Sequence, residues 1–242
     1  MPQRLRERKR ARDMARSIMK VRDGWAEASK RRGGRQPDRD LKNGRGVTAL
    51  SGTTKARVER AALALFCERG VDGVSVKEIA AAANISDGGM YRYFPAKHNL
   101  AQSLMLEIHT RLTDMVRAIE SEDASFKVKL NLLVTRYCAL ADDDWQLFTY
   151  HLLHLHHFPE MFAPKKGRGK PLDSPVTACA DMLETAMGEG DIPAGNKELL
   201  AGMALGIVVQ AGASKVYGRL KGPLSIYAPE FERAVNAIVR QK

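Results

Sequence analysis

With 242 residues, 44% hydrophobic content and a formal net charge of +11, the chain can hold one large domain, or a small one joined to a medium one, around a sizeable core. No apolar run approaches the ~18 residues a membrane span needs, and no apolar stretch follows the N-terminal positive charges, so neither a membrane protein nor a secretory signal is expected. Cys67, Cys138 and Cys179 show no C-x-x-C spacing, which fits free thiols on apolar helices in a reducing cytoplasm rather than a disulfide framework.

The positive charge suggests an anionic partner, and its distribution sharpens that reading. Residues 1–50 hold 16 Lys/Arg against 6 Asp/Glu, residues 51–98 hold 7 against 5, and residues 99–242 hold 16 against 17. The excess belongs to an arginine-rich segment, 1–50, which is poor in apolar residues, ends in RRGGRQPDRDLKNGRG, and is expected to be disordered. Two readings stand for residues 1–46: a basic arm that lies along DNA phosphates, or sequence upstream of a translation start at Val47, the second being preferred.

The first folded helix is expected over Thr54–Arg69, with Val58, Ala62, Leu65 and Phe66 inward and Gly70 closing it. Ser75 followed by Glu78 is a capping box that opens a second helix through Ile79, Ala80 and Ala83. Asn84 and Ile85 make a turn, and Ser86 and Asp87 cap a third helix on which Met90 and Phe94 face inward. Gly88, Gly89, Tyr91, Arg92 and Tyr93 remain outward, where an ordinary amphipathic helix would carry Glu and Lys. Small residues allow close approach of the backbone, and tyrosine hydroxyls and arginine can donate to phosphates or base edges. The pattern is that of a helix-turn-helix reader of duplex DNA. Its two glycines weaken the reader helix by ~1 kcal/mol each against alanine.

Residues 54–104, TKARVERAALALFCERGVDGVSVKEIAAAANISDGGMYRYFPAKHNLAQSL, resemble the DNA-binding domain of the TetR/AcrR transcriptional regulators. The likeness rests on A-L-A-L-F-x-x-x-G, V-x-x-I-A-x-x-A-x-I-S and Y-x-Y-F-x-x-K, in that order. It implies a double-stranded palindromic operator as partner. The DNA contacts expected are Thr54, Ser75, Lys77, Ser86, Asp87, Gly88, Gly89, Tyr91, Arg92, Tyr93 and Lys97.

Pro95 opens a fourth helix running from Lys97 to about Glu120, with Leu104, Ile108, Leu112 and Met115 inward, a lever between the DNA-binding part and the rest. Further helical patterns cover Phe126–Ala141 (Val128, Leu132, Leu133, Tyr137 and Leu140 inward) and Asp144–His157 (Trp145, Phe148, Leu152 and Leu155). Asp142, Asp143 and Asp144 read as N-terminal caps for the Trp145 helix. A loop, Phe158–Asp173, carries the basic tract Lys165–Lys170, a solvated stretch that could also close over an anionic ligand. Helices from Pro175 to Gly188, Asn196 to Gly218 and Pro229 to Arg240 complete the chain. No stretch alternates with period two, so the fold is expected to be all-α: an N-terminal three-helix DNA-binding domain (51–98) with its helix-turn-helix, joined to a C-terminal helical ligand-binding and dimerisation domain (99–242).

Opposite Leu200, Met203 and Ile207, which can pack the core, the penultimate helix carries Gly202, Gly206, Gln210 and Ala213 on one face. That face suits either a dimer interface or a buried contact within one chain, and the resemblance, which implies a homodimer formed by the last two long helices, favours the interface. The resemblance also implies a small-molecule effector cavity between the fourth and eighth helices, where Met105, Met115, Met161, Met182, Met187, Phe148 and Phe162 fit a pocket or an ordinary core equally well. His109, Tyr137, Phe148, His151 and Met182 are the candidate lining residues. His151, His154 and His157, with His156 beside them, recur at helical spacing; without acidic or cysteine companions they read as caps and pocket groups rather than a metal site. No G-x-S-x-G, P-loop, dinucleotide fingerprint or H-E-x-x-H occurs, and no catalytic residue, metal or cofactor is expected. The expectation is a cytoplasmic, dimeric, ligand-responsive DNA-binding regulator, a repressor. The alternatives are a small-molecule-binding helical protein with a degenerate DNA-binding domain and a metal-responsive regulator.

Overall fold

The computed structural model describes residues 52–158 and 173–240. The basic arm, Val47, Met161, Phe162 and the Lys165–Lys170 tract lie outside the described residues. Among those described, nine α-helices and no strand occur, so the all-α expectation holds. They are α1 (Thr54–Arg69), α2 (Val76–Ala82), α3 (Asp87–Tyr91), α4 (Lys97–Glu120), α5 (Phe126–Asp143), α6 (Trp145–His154), α7 (Pro175–Gly188), α8 (Lys197–Val216) and α9 (Ala228–Val239). Short 3-10 turns, Leu155–His157 and Leu224–Tyr227, follow α6 and precede α9.

Side-chain caps set most of the helix starts. Oxygens of Thr53, Ser75, Ser86, Asp144, Ser174 and Asn196 accept the N–H groups of Ala56, Glu78, Gly89, Leu147, Thr177 and Leu199; such a cap contributes about 1 kcal/mol. Ser75 and Glu78 form the reciprocal box, Glu78 Oε2 accepting the Ser75 N–H at 2.8 Å and its hydroxyl at 2.7 Å. Gly70 ends α1 with φ 74°, its N–H donating to the Phe66 carbonyl. Asn84 takes a φ of 54° in the turn between α2 and α3, a left-handed conformation that asparagine tolerates. Pro95 lies two residues ahead of α4, whose N-cap is Ala96, rather than within its first turn.

The aspartate trio divides its work. Asp144 caps α6, whereas Asp142 accepts the N–H groups of Leu224 at 2.6 Å and Ser225 at 2.9 Å and so heads the 3-10 turn before α9. Lys215 also lies 3.5 Å from Asp142 and 4.1 Å above the Trp145 ring. These contacts fasten α5, α6 and α8 to the C-terminal turn.

A single hydrophobic cluster runs from Val58 on α1 to Val239 on α9. α6 packs against α1 and α4, and also against α8. Gly212 permits the latter contact: a Cβ there would come 2.9 Å from Leu152 Cδ1 and 3.3 Å from Phe148 Cε1. Two inward assignments change register. Val128 on α5 is exposed, and the buried face is Phe126, Leu130, Leu133, Val134, Tyr137 and Cys138. On α8, Met203 is exposed, and the core face is the small set Ala201, Ala204, Leu205, Val208, Ala211 and Gly212. Against the expectation from apolar runs, α8 is long and apolar enough by length and composition to cross a membrane; 39% of that window is buried within the chain, in contacts with α6, α7 and α9. Cys67, Cys138 and Cys179 are free thiols, the latter two buried, and burial pushes Cys67 up to about 12, with Asp144 adding to the shift.

Candidate functional site

α2 and α3 form the helix-turn-helix pair. Met90 (0% exposed) and Phe94 (5%) are buried, and this fixes which edge of α3 faces outward. Gly88, Tyr91 (54% exposed), Arg92 and Tyr93 (39%) form that edge, with Asp87 at its start. The regular helix ends at Tyr91; Arg92 is its C-cap, and the N–H groups of Tyr93 and Phe94 return to the Met90 carbonyl, so these residues sit in the closing turn. Added to Gly88, a Cβ would meet nothing within 4 Å, whereas at Gly89 it would lie 3.2 Å from Ser86 Oγ. Nothing among the described residues therefore requires glycine at position 88, while Gly89 makes room for the cap.

The other reader candidates divide between free and committed groups. Lys77 is exposed on α2. Ser75 and Ser86 spend their hydroxyls on caps, and Thr54 Oγ1 accepts from Arg57 at 3.4 Å. Lys97 directs its ammonium to the backbone carbonyls of Val74 at 2.7 Å and Asp72 at 3.4 Å, bracing the loop ahead of α2. Glu78 is held down to about 2, chiefly by the Ser75 hydroxyl, then by its N–H and by Arg69.

α6 joins the helix-turn-helix region to the remaining helices. Arg60 on α1 makes two hydrogen bonds to Asp144, at 2.8 and 2.6 Å. Cys67 donates to the Gln146 carbonyl at 3.4 Å. The rings of Phe66 and Tyr150 stack 6.0 Å apart, and the Tyr150 hydroxyl donates to the Ala101 carbonyl of α4 at 3.0 Å. The His154 ring tilts against that of Tyr150, with centroids 5.1 Å apart. A second brace, not anticipated from sequence, is Arg117 of α4, which binds Asp173 through two nitrogens and also Glu120 and Asp181.

The effector candidates fall into two groups. His109 (α4) and His151 (α6) have ring centroids 5.9 Å apart, and Tyr137 (α5) meets Phe148 (α6) edge-on at 5.1 Å. Phe148 and His151 stand one turn apart on α6, so these pairs adjoin where α4, α5 and α6 meet. Met182 belongs elsewhere, lining a small cavity of about 100 Å³ beside Phe126 and Glu120. A larger cleft of about 340 Å³ lies between α4, α5 and the head of α6, bounded by Ile108, Met115, Leu140, Leu147, Arg136 and Asp144; none of the predicted ligand residues lines it. Burial holds the imidazoles neutral: His109 is lowered to about 4, His151 to about 3 and His154 to about 4, each chiefly by loss of solvent. Among the described residues no group of His, Cys, Asp or Glu is disposed to hold a metal ion.

Gly202, Gly206 and Gln210 are exposed on α8 and Ala213 is half-buried. A Cβ at Gly202 or Gly206 would meet nothing within 4 Å. Leu199 (61% exposed), Met203, Val209 and Tyr217 share the outward side and make it apolar.

These elements define an all-helical protein with a helix-turn-helix near its N-terminal end. Residues 60–104 match the family described as "Bacterial regulatory proteins, tetR family". The HTH-type transcriptional regulator TtgR of Pseudomonas putida is 36% identical over 70 residues, 29% of this chain and 33% of that protein. The nucleoid occlusion factor SlmA of Haemophilus ducreyi is 33% identical over 61 residues, 25% of this chain and 30% of that one. The chain thus spans about a third of the length of the curated relatives it matches. The fold extends further: the fatty acid degradation regulator FadR of Bacillus halodurans superposes with a TM-score of 0.63 at 22% identity, over 76% of this chain and 95% of that one. Residues 60–104 thus resemble the DNA-binding part of the TetR-family regulators.

Proposed function

We propose that the chain is a dimeric, ligand-responsive transcriptional regulator of the cytoplasm, a repressor that releases a palindromic operator when a small molecule binds among its C-terminal helices. It acts by binding rather than by catalysis. The observation that carries this reading is the outward edge of α3. Met90 and Phe94 anchor it in the hydrophobic core, while Gly88, Tyr91, Arg92 and Tyr93 are left to meet a partner. Gly88 suits close approach of the backbone to base edges, and the tyrosines and Arg92 can donate to phosphates or bases. Lys77, exposed on α2, adds a further cation to the motif. Lys97 acts here by bracing the α2 loop.

A palindromic operator requires two readers spaced about one DNA turn, ~34–36 Å, apart. The apolar outer side of α8, with Gly202 and Gly206 open to close helix packing, supports a two-fold interface formed with α9. α4 and α6 reach from the reader into the helical body, so a ligand that favours one arrangement of α6 shifts the two-state equilibrium by its differential affinity for the two. Effector binding in this fold has support from the FadR of Bacillus subtilis, solved with stearoyl-CoA. Gel mobility of a labelled duplex taken from upstream of the chain's own gene tests the reading. A discrete complex that resists non-specific competitor is expected; its absence favours a helical small-molecule binder with an inactive reader.

A further inference from the structure

Two side chains at the junction of α4, α5 and α6 pack through their rings but leave their polar atoms unpaired among the described residues. The Tyr137 hydroxyl and both ring nitrogens of His151 are buried and lack a hydrogen-bond partner among the described residues, in side chains only 4% and 7% exposed. An orphaned polar group in an apolar core is unfavourable for folding, and such groups are rare in native interiors. The neighbouring side chains are aromatic: Phe148 lies against Tyr137, Trp145 stacks on Phe148 at 5.9 Å, and His109 faces His151. Gly212 of α8 closes the same side of α6.

We propose that Tyr137 and His151 form the hydrogen-bonding head of the effector site, and that it takes an uncharged aromatic or alicyclic molecule bearing a hydroxyl or carbonyl group. The inference rests on the effector-domain reading above and adds the class of ligand. Polarity sets that class. A phenol and a neutral imidazole together offer donors and an acceptor but no net charge. A ligand carboxylate or ammonium placed there would find no counter-ion among the described residues. The nearby charges do not change this: Asp173 is held by two Arg117 nitrogens, and Arg117 is further engaged by Glu120 and Asp181. His109 and His151 stay neutral through burial.

Three probes of one shape test the assignment at neutral pH: 2-naphthol, naphthalene and 2-naphthoate, followed by their own fluorescence on the full chain. 2-Naphthol is expected to bind at least about tenfold more tightly than either of the others, the preference that one well-made buried hydrogen bond supplies. Tyr137→Phe and His151→Leu should each bring its affinity down toward that of naphthalene while leaving naphthalene binding unchanged. Both variants should melt no lower than the parent, because each removes an orphaned polar group and keeps the apolar volume; a purely structural tyrosine or histidine would lower the melting temperature instead. Tighter binding of 2-naphthoate, binding of none of the three probes, or an unaltered preference in both variants would overturn the proposal. Duplex binding by the probe-free protein is read in the same preparations. Its loss counts against the regulator reading, whereas loss of the probe preference with duplex binding intact counts against this inference alone.

Discussion

Arg60 and Asp144, 84 residues apart in sequence, meet through two hydrogen bonds of 2.8 and 2.6 Å, and Asp144 Oδ1 also accepts the Leu147 N–H at the head of α6. One carboxylate thus starts α6, the helix that carries Phe148 and His151, and holds α1. Asp144 also borders the cleft of about 340 Å³. Asp144→Ala is expected to destabilise by about 1 kcal/mol more than Arg60→Ala, since it removes the cap as well as the bridge. A double-mutant cycle by urea unfolding should give a coupling of about 1 kcal/mol, as suits a partly buried bidentate pair. Strictly additive effects would mean that the bridge carries no coupling between α1 and α6.

The two reader glycines should separate. Gly88→Ala places a methyl in open space and is expected to leave stability unchanged or raise it by up to about 1 kcal/mol, while weakening duplex binding. Gly89→Ala crowds the Ser86 cap at 3.2 Å and should gain less stability, or lose some. Melting curves and duplex titrations of both variants decide the matter. Unchanged duplex affinity in Gly88→Ala would remove that position from the contact surface.

Lys97 and Arg92 make a second contrast. Lys97→Ala is expected to cost about 1 kcal/mol of stability, because the ammonium holds the carbonyls of Val74 and Asp72. Arg92, exposed and without an ion pair among the described residues, should be replaceable by alanine with no change in melting temperature. An unaltered melting temperature for Lys97→Ala would return that lysine to the set of direct phosphate contacts.

Acid should loosen the fold before most carboxylates titrate. His109, His151 and His154 titrate near 6.5 when unfolded but are lowered to about 4, 3 and 4 in the folded chain. Between those limits the unfolded state binds more protons, so the stability they contribute is complete above about pH 6.5 and falls as pH drops toward 4. Each neutral histidine contributes a slope on the order of 1 kcal/mol per pH unit across that window. Melting temperatures between neutral pH and pH 5 should fall, and less steeply in His151→Leu. A flat profile would show that these imidazoles protonate in place.

The helix-turn-helix was legible because its signals are local. Ser75, Glu78, Gly70 and the Met90–Phe94 pair each act within a few residues, and α1, α2, α4 and α7 begin or end close to where caps and glycines put them. The register of α8 was less legible, because its core side is alanine and glycine rather than large apolar residues, so Met203 and the inward face could not be told apart by hydrophobicity. The Arg60–Asp144 pair and the bonds of Arg117 to Asp173 and Asp181 left no local trace at all. Their partners lie 84, 56 and 64 residues away, and nothing in a run of ordinary charged residues marks which ones will meet.

Fluorescence anisotropy of the upstream duplex, titrated with the parent chain and with Arg92→Ala, tests the central claim most directly. The parent should saturate one site with two chains per duplex, with an affinity that falls as salt rises and drops on a scrambled duplex. Arg92→Ala should weaken binding or relax its sequence preference while its melting temperature stays unchanged. Equal affinity of the parent for the upstream and scrambled duplexes, or an Arg92→Ala variant that binds and discriminates as the parent does, would contradict the assignment of α3 to the DNA.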